Sequence, residues 1–235
     1  MSEDSRNWKL FKDENEEFIK KSLGKGESRL TLGQYYTNEI CLDAKHLSFT
    51  LSRYKFVSKM LAYRKNVKLL EMGCNEGLGA LLFQQNLDLS EYVGIDLDGD
   101  AINWNKENLP DGLRFVEGDF FECGNISDEA FDAVVSLDVI EHINQKKEHE
   151  FCRVMIEHMK EDGVAVIGTP NIVMQPFARE VVQKVHINLY DQERLYELMN
   201  QYFRNVFIFN MTDEVVHTGF NPMSCYIFAV CCNFK

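Results

Sequence analysis

From Val67 onward the chain alternates short apolar runs with stretches of helical period, and few folds accept that pattern. The strand candidates are Val67–Met72, Tyr92–Asp96, Leu113–Glu117, Phe131–Leu137 and Val164–Gly168. Between them lie periodic segments such as Leu78–Leu87 and Glu148–Met159. Strands that are apolar almost throughout belong in a parallel sheet with helices on both faces. After Gly168 the pattern changes. Asp191 reads as an N-cap, with Leu195, Leu198, Met199 and Tyr202 following at helical spacing. Two more runs, Val206–Met211 and Cys225–Cys231, flank a polar stretch containing Gly219, Asn221 and Pro222. They read as a terminal antiparallel pair.

Residues 1–48 are polar and irregular, with Gly24, Gly26 and Gly33 as breaks, and are expected to form an N-terminal extension that covers a cofactor or substrate. Phe49–Tyr63 reads as a helix opening a single domain over residues 49–235. A chain of 235 residues suits one such domain, burying roughly 70% of its unfolded surface. Lys20 and Lys25 are interspersed with Glu16, Glu17 and Glu27, a solvated surface. The net charge of −12 repels polyanions and argues against a nucleic-acid partner. No run approaches the ~20 apolar residues of a membrane span, and the charged N-terminus lacks an export signal. Seven cysteines, an odd count without CxxC spacing, read as reduced thiols in a cytoplasmic protein.

The densest motif is the stretch from Val67 to Gly79, VKLLEMGCNEGLG. A strand enters a glycine-bearing turn and a helix follows. Gly73 and Gly77 allow a ligand close to the backbone, and the helix N-terminus offers free N–H groups. Dinucleotide enzymes use a similar turn for pyrophosphate. Two features favour S-adenosylmethionine instead: Glu71 would repel a phosphate and attract an amino group, and the glycine spacing departs from GxGxxG. Asp96 closes the second strand, placed to accept ribose hydroxyls. Asp119 lies just past the third, placed to accept from the adenine amino group while Phe120 packs on the ring.

With these motifs in order, one per β–α unit, the stretch from about Val67 to Gly168 resembles a class I S-adenosylmethionine-dependent methyltransferase. The resemblance assigns Glu71, Gly73, Asn75 and Gly77 to the methionine-side loop, Asp96 to the ribose, and Asp119 and Phe120 to the adenine. The family usually has glycine where Asn75 stands, and asparagine tolerates a left-handed backbone better than most residues. The implied fold is a doubly wound, Rossmann-like α/β sheet of seven mostly parallel strands with helices on both faces and a C-terminal antiparallel pair.

The fourth strand ends in SLDVIEHI, residues 136–143. A helical turn there puts Asp138, Glu141 and His142 at i, i+3 and i+4, on one face. His186 follows the fifth strand and can return over the same edge. Three readings stand open. Asp138, Glu141, His142 and His186 hold a divalent metal (Mn, Mg, Fe or Zn) that lowers an acceptor hydroxyl's pKa. Or His142, beside Glu141, is a metal-free general base. Or these residues brace the turn. The Glu-His pair is similar to that of the ubiquinone-biosynthesis O-methyltransferases. It also resembles the Glu-x-x-Glu-His motif of small-RNA 2′-O-methyltransferases, which with a downstream histidine holds a metal. Asp138 is one methylene shorter than the glutamate of that motif.

The segment Asn171–Asn188 is long for a connection and reads as a substrate lid. Arg53 and Tyr54 read as core packing. The expected activity is methyl transfer to a small-molecule hydroxyl on a sugar, nucleotide-linked intermediate or phenol. The rivals are an RNA-end 2′-O-methyltransferase and an S-adenosylmethionine-binding partner protein without chemistry of its own. Asp96→Ala should weaken S-adenosylmethionine binding by roughly 1.5–3 kcal/mol in a calorimetric titration. An unchanged affinity would remove Asp96 from the site.

Overall fold

The computed structural model of the chain describes residues 3–23, 31–124 and 126–235. Gly24, Lys25, Gly26 and Glu27 lie outside them. In chain order the elements are α1 (Glu3–Leu23), α2 (Gln34–Asp43), α3 (Lys45–Leu61), β1 (Val67–Met72), α4 (Leu78–Asn86) and β2 (Leu89–Asp96). Then come α5 (Gly99–Asn108), β3 (Leu113–Glu117), β4 (Phe131–Leu137), α6 (Glu148–Glu157), β5 (Met159–Pro170) and α7 (Glu180–Val185). The chain ends with α8 (Gln192–Tyr202), β6 (Phe203–Thr212), β7 (Val215–His217) and β8 (Tyr226–Phe234).

Side chains of β1 alternate between two cores, as the pleat requires. Leu70 and Met72 join Phe151, Met155, Leu195 and Met199 of α6 and α8. Val67 and Leu69 join Val57 and Leu61 of α3 and Phe83 of α4. Helix starts are set locally. Asp98 accepts from the N–H groups of Asp100 and Ala101 at the head of α5, and Asp191 accepts from Arg194 N–H at 2.8 Å at the head of α8.

The sheet order is β3-β2-β1-β4-β5-β8-β6-β7. Strands β1 to β5 run parallel, and β8 is antiparallel to both β5 and β6. The winding reverses between β1 and β4, so their carboxyl ends flank the crevice where such sheets bind ligands. The two terminal runs pair antiparallel as expected, one strand in from the sheet's edge. β8 lies between β5 and β6, with Ile227, Phe228 and Ala229 fully buried.

Two expectations are corrected. The sheet has eight strands rather than seven, because β6 turns back through Asp213 (φ 50°) into the short β7. No glycine marks that turn, so the polar stretch concealed it. The described residues before Leu47 are helical rather than irregular, apart from residues 31–33 and the turn at Ala44. α1 is built of Lys and Glu with an i,i+4 pair, Glu16–Lys20 at 2.8 Å, and exposes Trp8, Phe11 and Phe18. α2 buries only Tyr36, too few positions to print a helical period. α3 runs across the expected boundary at residue 48.

Phe228 should be among the costliest truncations. Its ring centroid lies 4.6 Å from that of Phe56, in the middle of the sheet. Phe228→Ala is expected to lose about 3–5 kcal/mol in urea unfolding. A loss below about 1 kcal/mol would contradict its central place.

Candidate active site

A cavity of about 580 Å³ opens at the ends of β1 and β4. On one side lies the turn after β1, where Gly73, Asn75 and Gly77 all take positive φ, at 83°, 46° and 64°. The left-handed Asn75 keeps the turn that glycine would otherwise make. The two glycines answer first to the protein itself. A Cβ on Gly73 would stand 2.2 Å from a methyl of Val139, and one on Gly77 would stand 2.4 Å from Leu109. Asn75 N–H donates to Asp96 Oδ2 at 2.8 Å, and Asn105 Nδ2 donates to the Asn75 carbonyl at 2.7 Å. Gly73, Asn75, Asp96, Asp119 and Phe120 line the cavity together. Asp119 is steadied by Phe121 N–H at 2.9 Å.

Glu71 and Gly77 are not part of that lining. Glu71 lies beneath the turn, fully buried, and accepts from the Tyr92 hydroxyl at 2.6 Å. Burial, partly offset by hydrogen bonds from Tyr92 and Tyr54, pushes its carboxyl up to about 7. The residue braces β1 against β2 and α3, and does not meet the cavity as the sequence had led us to expect.

Across the cavity, β4 ends at Asp138, whose φ of 58° turns the chain out of the sheet. The expected helical turn is a single 3-10 turn, Ile140–His142. Glu141, His142 and His186 converge, with one ligand atom from each lying within 4.8 Å of the others. Asp138 is not of that group. Its Oδ2 accepts from Arg53 Nη1 at 2.7 Å, while the guanidinium stacks 4.1 Å from the Tyr226 ring centroid. Arg53, read from the sequence as packing alone, is both buried and part of the cavity wall.

Glu141 is fully buried. Its Oε2 accepts from the Thr169 hydroxyl at 3.0 Å, and its Oε1 has no hydrogen-bond partner among the described residues. Burial, with Asp138 nearby, raises its carboxyl pKa. His142 Nδ1 lies 3.1 Å from the Val185 carbonyl, which makes it the donor and leaves Nε2 with a free lone pair. His186 arrives because the Glu141 carbonyl accepts from both Ile187 and Asn188 N–H, at 2.9 and 3.0 Å. Behind it, Arg194, Asn188, Tyr190 and Glu148 form one network that anchors the connection, with Arg194 Nη2 2.6 Å from Glu148. Burial lowers the His186 pKa, which favours a neutral imidazole.

The segment between β5 and α8 is ordered as a 3-10 stretch, Ile172–Phe177, and α7. Val182 and His186 of this segment face the cavity. Arg179, at its start, donates to Glu39 of α2 at 3.2 Å. Thr169, Glu39 and Glu76 escaped the sequence reading. Their partners lie 28 to 140 positions away, so no local pattern betrays them. All seven cysteines are free. No helix of the described residues is long and apolar enough to cross a membrane.

Residues 70–167 match the family described as Methyltransferase domain. Over 73 residues the chain is 36% identical to a fatty-acid O-methyltransferase of Mycolicibacterium smegmatis, covering 30% of this chain and 26% of that protein. It is 25% identical over 123 residues to the ubiquinone biosynthesis O-methyltransferase of Rickettsia akari, covering 52% of this chain and 47% of that protein. The chain thus spans about a quarter to a half of the length of these curated relatives. A solved SAM dependent methyltransferase from Archaeoglobus fulgidus shares the fold with a TM-score of 0.64 at 16% identity, over 86% of this chain and 100% of that one.

Burial of Glu71 makes the fold's stability depend on pH. Its folded pKa lies above the ordinary 4.5, so the folded state holds the proton to higher pH than the unfolded chain. Stability from this group is greatest below 4.5 and falls as pH rises toward about 7. Relative to Glu71→Gln, the wild type should lose up to about 1.4 kcal/mol per pH unit across that window. Urea unfolding of both proteins at pH 5 and pH 8 checks it. A pH-independent difference would contradict the buried, proton-holding carboxyl.

Proposed function

We propose that residues 70–167, which match a methyltransferase domain, act as a class I S-adenosylmethionine-dependent methyltransferase and that the protein methylates a small-molecule hydroxyl with the help of a divalent metal. The observation that carries this reading is the convergence of Glu141, His142 and His186 on the cavity that Asp96 and Asp119 also line.

The donor set fits the cofactor. Asp96 can accept from ribose hydroxyls, Asp119 from an exocyclic amine, and Phe120 supplies an apolar face. When bound, S-adenosylmethionine supplies a methyl group already activated on a sulfonium. The chain's own contribution is alignment, since reactants held at about 3 Å in line gain most of their rate from positioning. α2 and the segment 171–188 would close over the cavity and exclude water.

The triad fits a metal as well. Glu141 Oε1 is a buried acceptor without a partner, and His142 donates its other nitrogen to a backbone carbonyl, as metal-ligating histidines usually do. One carboxylate and two imidazoles suit Mn, Fe or Zn at least as well as Mg. An ion held there would supply Lewis acidity to the acceptor oxygen, lowering its pKa. Asp138, paired with Arg53, is left out of this ligand set. The relatives' names support oxygen as the acceptor atom, and a sugar, a nucleotide-linked intermediate or a phenol fits the cavity's mixed lining. The net charge of −12 weighs against an RNA end. The free cysteines support a cytoplasmic setting.

A second reading keeps the same enzyme without metal. The Val185 carbonyl fixes the His142 tautomer, and Nε2 then serves as general base. S-adenosylhomocysteine release over a panel of sugars, nucleotide-sugars, catechols and short RNAs, with added Mn or Mg and again with chelator, separates the two. Turnover of one acceptor should vanish with chelator and return with Mn. His186→Ala should cost at least about 10- to 100-fold with product binding intact. Turnover indifferent to chelator would end the metal reading, and His142→Ala should then cost about 10²–10⁴-fold.

A further inference from the structure

We infer that Glu76, inside the cofactor turn, is a positioning residue that ties α2 and the acceptor-side wall to the state of that turn. The inference rests on reading the cavity as an S-adenosylmethionine site. The Glu76 carboxylate accepts from Tyr35 N–H at 2.7 Å through Oε1 and from Tyr36 N–H at 3.1 Å through Oε2. These are two of the first N–H groups of α2, which have no partner within the helix itself. The residue before α2 is Gly33, which offers no side-chain cap, so a carboxylate some forty positions away supplies it. Glu76 is 6% exposed, so water contributes little to this contact.

Gly33 is the other half of the arrangement. A Cβ there would stand 2.3 Å from Glu76 Cδ, so the approach requires a residue without a side chain.

On the turn side, Asn75 Oδ1 accepts from Glu76 N–H at 2.7 Å, and Asn75 N–H is held by Asp96. The Glu76 backbone is therefore set by residues that line the cofactor end of the cavity. On the helix side, α2 presents Tyr35 and Glu39 to the cavity, and Glu39 holds Arg179 at the start of α7. His186 ends that same short helix. A ligand that stabilises the turn therefore stabilises the cap on α2. By reciprocity the docked α2 raises the affinity of the ligand. The acceptor wall and the 171–188 segment assemble best once the cofactor end is occupied.

Hydrogen–deuterium exchange of the full chain, with and without S-adenosylhomocysteine, reads this coupling, and calorimetry supplies the affinity. In the wild type the ligand should slow exchange over residues 35–43. Glu76→Gln keeps the size but loses the charge and one acceptor. It is expected to bind S-adenosylhomocysteine roughly five- to tenfold more weakly. The slowing over α2 should disappear while that around Asn75 persists. Gly33→Ala displaces the flexible carboxylate from the opposite side, leaves the turn's own residues unchanged, and should give the same result. Ligand-induced slowing over α2 that survives in both variants, even with a lower Tm, would overturn the inference and leave the cofactor reading standing. A wild type that binds no S-adenosylhomocysteine would overturn the cofactor reading and this inference together.

Discussion

Parallel pairing of β1 with β4, Leu69 against Ala133 and Glu71 against Val135, brings two separate stretches of chain to one edge of the sheet. One leaves through Gly73 and the other through Asp138, and both do so with positive φ. The Ser136 hydroxyl, donating to the Met72 carbonyl at 3.0 Å, joins the strands at the point of departure. Because Val139 sits where a Cβ on residue 73 would be, the two turns are packed as one object. The glycine-bearing turn after β1 and the carboxylate–histidine turn are therefore neighbours by construction. Every other part of the site is placed relative to them.

Charges buried at this edge are costly unless each has a partner. Asp138 and Arg53 resolve their burial together, with Tyr226 beneath the guanidinium. Burial works against the Arg53 charge, but Asp138 and Tyr226 outweigh it and leave its pKa raised. Glu71 resolves it by hydrogen bonding and a raised pKa. Glu71 Oε1 has no hydrogen-bond partner among the described residues, and Glu141 is left in the same state. Thr169 satisfies one of its oxygens, and the other is left unpartnered beside two imidazoles. What separates the two carboxylates is their surroundings: tyrosines enclose Glu71, whereas Glu141 faces the cavity beside two imidazoles.

Rigidity around the triad comes from further out. Glu148 of α6 and Arg194 of α8 hold Asn188 and Tyr190, and the Glu141 carbonyl takes the N–H groups of Ile187 and Asn188. His186 is thus delivered by a connection that two helices anchor. On the opposite side α2 is joined to the turn after β1 through Glu76 and to α7 through Glu39 and Arg179. The cavity is enclosed by segments that contribute few core residues of their own.

Much of this was legible in the residues alone. The runs of β1, β3 and β4 matched the strands at both ends, and for β1 and β4 the reason is that central strands buried along nearly their whole length must be largely apolar. That Asn75, Asp96 and Asp119 stand along one edge of the sheet was readable because the turns carrying them follow strands directly, so local order places them. What local order cannot state is which distant group meets which. That Asp138 answers to Arg53, 85 positions earlier, and not to the neighbouring histidines, is decided by the packing of α3 against the sheet. That Glu71 lies beneath the turn is decided by Tyr92 on the adjoining strand. The eighth strand and the helical N-terminus were hidden for the complementary reason. A short edge strand and a solvated helix bury too little to impose a period on the sequence. Periodic burial is written into the chain itself, whereas the pairing of polar groups across elements exists only once those elements have packed.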